Sequence, residues 1–181
     1  MDLQIRRGNT NDGGLDELDE KILWELTRDA RIPNNALADK LGVSPSTTLN
    51  RIRALRESGA LQSLHALPDL RAVGLPIQAM ISVRLRAQAR PSIKSYASQV
   101  MRLPCVLNAY FLGGADDFLV HVACTSTEQL RDFVAVHLSM DPSVASTQTN
   151  IVFEYLHGGH YMDEIGGFAD MRRPIEEPAK S

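Results

Sequence analysis

Two cysteines in 181 residues, Cys105 and Cys124, are too few for a disulfide framework and lack the spacing of metal ligands, so both read as small apolar core residues. Long apolar runs are missing as well. No stretch is long enough to span a bilayer and the start carries no secretory pattern, so a cytoplasmic chain without membrane contact is expected. The net charge is −3, with 19 Lys and Arg against 22 Asp and Glu. That balance excludes a global basic field drawing in nucleic acid at long range. Neither a phosphate-binding glycine loop nor a nucleophile motif occurs. His157 and His160 supply a pair of imidazoles around two glycines, short of a closed metal site. The adjacent Asp116 and Asp117 fall in a loop that does not hold two carboxylates face to face, as acid–base catalysis needs. No catalytic residue, no metal and no cofactor is therefore expected.

What is present is a set of three short helical patterns over residues 15–61, within a chain 44% hydrophobic and 23% charged. Leu15, Leu18, Ile22, Leu23 and Leu26 follow amphipathic spacing, with Trp24 off the centre of the stripe. Asn34 or Asn35 can cap a second helix with Leu37, Ala38 and Leu41 inward, and Gly42-Val43 makes a tight turn. The third helix is bounded by Ser44-Pro45, a capping hydroxyl before a proline at the first position, and by Gly59. At about 100° per residue, Leu49, Ile52 and Leu55 share one face. Ser46, Thr47, Asn50, Arg51 and Arg53 share the other. Short hydrogen-bonding groups near the N-terminus, with arginines further along, suit a helix entering a DNA major groove. The alternative is an ordinary solvated helix face. Three helices with a glycine-containing turn before the last read as helix-turn-helix, and residues 61–67 as a wing strand.

Beyond a connector through Pro68, Gly74 and Pro76 the period changes. Ile77, Ala79, Ile81, Val83 and Leu85 alternate with polar or larger residues, as in a half-buried strand. Residues 92–103 return to helical spacing, residues 106–112 and 117–123 read as strands, Ser126 and Gln129 open another helix, and residues 144–156 read as a last strand. The order βαββαβ predicts a ferredoxin-like unit with both helices on one side of an antiparallel sheet. The bare face needs cover, and a second copy of the chain would supply it, so a homodimer is expected. The fold class is α+β: a mobile arm over 1–14, a winged helix-turn-helix domain over 15–66, a linker over 67–76, a ferredoxin-like domain over 77–156 and a tail over 157–181.

Several of these stretches resemble the Lrp/AsnC (feast/famine) transcriptional regulators. They are Leu15-Asp16-x-x-Asp19-x-x-Ile22-Leu23, Asp29-Ala30-Arg31, Leu37-Ala38, Gly42-Val43-Ser44 and Arg51-Ile52-Arg53-x-Leu55-x-x-x-Gly59. Gly114-x-x-Asp117-Phe118-Leu119 and Val144-x-x-Thr147-x-Thr149 extend the resemblance to the second half. It implies a winged helix-turn-helix on pseudo-palindromic double-stranded DNA, with Ser44, Ser46, Thr47, Asn50, Arg51 and Arg53 at the DNA. It also implies dimers that assemble further, into octamers or similar discs, and control by a small amino acid beside the loop between the second and third strands. Here that loop would bring Gly113, Gly114, Asp116 and Asp117 to the effector, with Thr147 and Thr149 on the final strand. The family's usual loop reads Gly-Asp-aromatic-Asp, whereas this one reads Gly114-Ala115-Asp116-Asp117. The siroheme decarboxylases share the fold and form the enzymatic alternative, but they need no DNA-reading helix, and the polar face of the third helix favours the regulator.

Overall fold

The computed structural model describes residues 14–156 and 165–174. They divide into two units: one holds residues 67–155, and the other holds the residues before and after that span. Arg6, Arg7, His157 and His160 lie outside the described residues.

In the helical unit α1 spans Glu17–Arg28, α2 Asn34–Leu41 and α3 Pro45–Ser58. The Asp16 carboxylate accepts the Asp19 N–H at 2.8 Å, and the Asp19 carboxylate reaches back to the Asp16 N–H at 3.4 Å, which satisfies two otherwise orphaned donors at the start of α1. Gly42 (φ 68°) and Gly59 (φ 80°) end α2 and α3 in the left-handed conformation that side chains with a Cβ resist. Ile22, Leu26, Leu37 and Leu55 form the core, each contributing about 1.5–3 kcal/mol by burial, with Ile52, Leu41 and Leu61 packed around them.

Four sequence expectations change here. Asn34 does not cap α2: Pro33 holds the capping position, and the Asn34 side chain is used on α3 instead. Leu49 is half exposed, because the inward position on α3 belongs to the fully buried Thr48, whose hydroxyl finds partners that make burial affordable. No wing strand forms over residues 61–67, since no described segment pairs with that stretch. Finally, residues 165–174 do not behave as a separate tail. Their short helix α6 (Phe168–Met171) belongs to the helical unit, where Phe168 covers Trp24.

The second unit is a four-stranded antiparallel sheet of β1 (Ile77–Leu85), β2 (Val106–Phe111), β3 (Phe118–Cys124) and β4 (Val144–Val152), in the order β2-β3-β1-β4. Helix α4 (Ile93–Val100) follows a 3₁₀ turn over Ala87–Ser92, and α5 (Thr127–Phe133) continues through a π-helical turn over Val134–Ser139. Ala79, Ile81, Val83 and Leu85 alternate inward as the period-2 pattern predicts, meeting Val120, Phe118, Tyr96, Leu130 and Phe133. The strand register puts Met80, Ser82, Leu119, His121, Asn108 and Asn150 together on the opposite face, against which no described helix packs. The connector from residue 67 is itself ordered: Asp69 accepts the Arg71 N–H at 2.9 Å and Gly74 turns the chain at φ 82°.

Candidate DNA interface and effector loop

Helix α3 is fixed to its neighbours by polar contacts at two places. The Thr48 hydroxyl lies 2.7 Å from Asn34 Oδ1 and 3.0 Å from the Pro45 carbonyl, and Asn34 Nδ2 donates to the same carbonyl at 2.8 Å. This buried knot locks α2 onto the first turn of α3. Further along, Arg51 turns toward α1: its Nη1 pairs with Asp16 and lies 3.2 Å from both Asp19 oxygens. The Asp16 carboxyl is held below the usual carboxylate range, first by the Asp19 N–H and then by Arg51. Arg51 therefore lies beside the inward face of α3, 100° or so from where the sequence pattern groups it.

With Thr48, Ile52 and Leu55 inward, the outward stripe consists of Ser46, Asn50 and Arg53, all exposed. Ser44 caps the helix by accepting the Thr47 N–H at 3.1 Å, and its hydroxyl sits 2.8 Å from those of both Ser46 and Thr47. A small cluster of hydroxyls thus occupies the helix start, where N–H groups and the helix dipole favour an anion. Arg53 Nη1 lies 3.4 Å from Asn50 Oδ1, so the two longer side chains of the stripe lean together. Leu49 stands exposed at the edge of this stripe. Sequence periodicity missed it because the heptad-like spacing of Leu49, Ile52 and Leu55 imitates a buried seam.

The loop between β2 and β3 divides its expected residues. Gly113 and Gly114 are exposed, have ordinary backbone angles, and would place a Cβ in open space. Nothing within the chain requires them to be glycine. Asp116 is half-buried. Asp117 is buried, and its Oδ2 accepts the Leu85 N–H at 2.8 Å while its own N–H donates to the Val83 carbonyl at 3.0 Å. Asp117 pins the loop to the end of β1, and its oxygens are already engaged. Arg90, from the turn before α4, brings its Nε within 3.4 Å of Asp117 Oδ1 and adds a half-exposed cation that sequence reading missed. Only its place in an unremarkable polar turn marked it. Thr147 and Phe118 flank Val83 in one row, which sets them about 10 Å apart across β1. Thr149 is exposed two residues further along β4, and the Thr147 hydroxyl lies 3.5 Å from that of Ser139.

Two family models match the chain: a winged helix-turn-helix DNA-binding domain over residues 15–62 and an Lrp/AsnC ligand binding domain over residues 78–157. The HTH-type transcriptional regulator AldR of Mycobacterium tuberculosis is 51% identical over 144 residues, 80% of either chain. The chain belongs to the Lrp/AsnC family. The regulator is similar in structure to MtbAldR, with a TM-score of 0.73 at 45% identity over 82% of this chain and 98% of that one. A transcriptional regulator of Neisseria meningitidis solved in complex with L-Met matches with a TM-score of 0.72 at 30% identity, over 80% and 93% of the two chains. These relatives make the protein a DNA-binding transcriptional regulator and set aside the enzymatic alternative. Among the described residues, no helix is long and apolar enough to cross a membrane.

Proposed function

We propose that the regulator reads a pseudo-palindromic double-stranded operator with the outward stripe of α3, and that a small amino acid modulates its assembly or DNA affinity. The observation that carries the DNA assignment is the alignment of Ser46, Asn50 and Arg53 along the exposed side of a helix whose N-terminus is built from the Ser44, Ser46 and Thr47 hydroxyls. Short hydroxyls and an amide suit base edges and phosphates at the helix start, and a guanidinium suits a guanine or phosphate further on. Arg51 acts through its two carboxylate partners as a positioning residue that sets the tilt of α3.

Pairing of two sheets through the face bearing Met80, Leu119 and His121 gives the homodimer that a two-fold operator needs, and further assembly toward an octamer-like ring follows the same logic. The effector reading rests on the loop: two glycines that the chain itself does not need leave room for a close neighbour, Asp116 offers a carboxylate to an ammonium group, and Arg90 offers a cation to a carboxylate. The L-Met complex of the Neisseria meningitidis relative supports an amino acid as the chemical class.

The test is operator binding on a site selected from genomic DNA. Alanine at Asn50 and Arg53 should weaken binding about tenfold or more, and loss of a phosphate contact at Arg53 should reduce the salt slope by about one. Unchanged affinity in the double variant rejects the assignment. For the effector, calorimetry across the amino acids is compared between the parent and Asp116→Ala; binding that ignores this substitution rejects the loop site.

A further inference from the structure

Trp24, the chain's single tryptophan, is 6% exposed, and the residue that covers it comes from the other end of the sequence. The Phe168 ring meets the indole edge-on, with centroids 5.0 Å apart and planes at 82°. One turn along each helix, Arg172 Nη2 lies 2.7 Å from Glu20 Oε2. Glu20 and Trp24 are four residues apart on α1, as are Phe168 and Arg172 on the C-terminal segment, so the two pairs run antiparallel and match in spacing. The segment also builds its own shape: Asp170 accepts the Gly166 N–H at 2.6 Å and pairs with Arg173 at 2.7 Å, while Gly167 adopts φ 146°. Beside the Trp24 contact, Leu23, Leu26, Ala30, Leu61, Leu64 and Phe168 line a cleft of about 310 Å³. The C-terminal segment, residues 166–173, lies beyond the match to the ligand-binding family model, which ends at residue 157.

We infer that the Glu20–Trp24 face of α1 is a docking surface for a Phe-x-x-x-Arg helical turn, and that its occupant is the chain's own residues 166–173. The chain leaves the helical unit near residue 66 and returns to it after β4. Docking therefore fastens residues 166–173 to the first helix of the helical unit. An edge-to-face aromatic contact and one exposed ion pair make a closure weak enough to open.

Trp24 reports the docking directly, independently of DNA. In the full-length chain, Phe168→Ala should red-shift Trp24 emission and raise its quenching by acrylamide, with far-UV circular dichroism unchanged. Arg172→Glu should do the same in part, and the reversed pair Glu20→Arg with Arg172→Glu should restore the parent signal. Emission and quenching that are unchanged in Phe168→Ala overturn the docking. A parent signal that depends on protein concentration overturns the assignment to the same chain in favour of exchange between copies.

Discussion

Replacing Asp117 separates what the effector loop does for folding from what it does for a ligand. In the native chain Asp117 is 8% exposed and holds the buried Leu85 N–H at 2.8 Å. Asp117→Ala leaves that donor unpaired and releases Arg90. A hydrogen bond to a charged group contributes about 1.5–3 kcal/mol, most of it the cost of leaving its partner unmet. For a unit of this size each kcal/mol moves the melting temperature by roughly 4–8 °C, so a loss of roughly 6–24 °C is expected. Asp117→Asn keeps an oxygen for Leu85 and loses the charge and the acceptor that faces Arg90, so its effect should be less than half as large. Thermal unfolding followed by far-UV circular dichroism measures both variants, while Trp24 fluorescence follows the helical unit and should be little changed. A shift under about 2 °C for alanine, or equal shifts for alanine and asparagine, would refute the reasoning. Lost effector binding in Asp117→Ala is consequently no measure of ligand contact, and Asp116 is the position to test.

Four further outcomes follow from the same geometry. Thr48→Val should destabilise the helical unit by about 1–2 kcal/mol, and a double-mutant cycle with Asn34→Ala should show coupling; additive losses in urea titrations would reject the buried knot. Tyr96→Phe should stabilise the sheet unit by about 1 kcal/mol, because the buried Tyr96 hydroxyl has no hydrogen-bond partner among the described residues; a lower melting temperature would contradict this. Burial pushes the His121 pKa down from its ordinary 6.5, so the folded state resists a proton that the unfolded chain accepts. Stability of the sheet unit should accordingly fall as pH drops below about 6.5, and His121→Gln should remove that dependence in pH-resolved melts. Leu49, apolar and exposed beside the reading stripe, fits a thymine methyl; exchanging operator thymines for uracil should weaken the parent more than Leu49→Ala, and equal losses in both would exclude the contact.

Much of the architecture was legible because it rests on local rules. Gly42 and Gly59 mark helix ends, Ser44-Pro45 marks a start, and the alternation from Ile77 to Leu85 marks a strand buried on one face. The site was less legible wherever a side chain's partner is distant in sequence. Arg51 reads as an outward cation until Asp16 and Asp19, more than thirty residues away, are seen to hold it. Thr48 has no place in the sequence pattern because one of its two acceptors, Asn34 Oδ1, comes within reach only when α2 and α3 meet. Asp117 reads as a ligand carboxylate because nothing in its neighbourhood announces the Leu85 N–H. Periodicity reports a face, whereas hydrogen-bond satisfaction is a property of the tertiary structure, and in these three cases it decides the role.

The start of α1 joins two tasks in one pair of carboxylates. Asp16 and Asp19 accept the first free N–H groups at the start of α1, and the same two carboxylates receive the Arg51 guanidinium from the middle of α3, Asp16 through its other oxygen. Fraying of the first turn of α1 therefore exposes Arg51, and rotation of α3 strips charge compensation from the cap. The two events are therefore coupled, and the first turn of α1 and the middle of α3 should share part of the protection of their amides from hydrogen exchange.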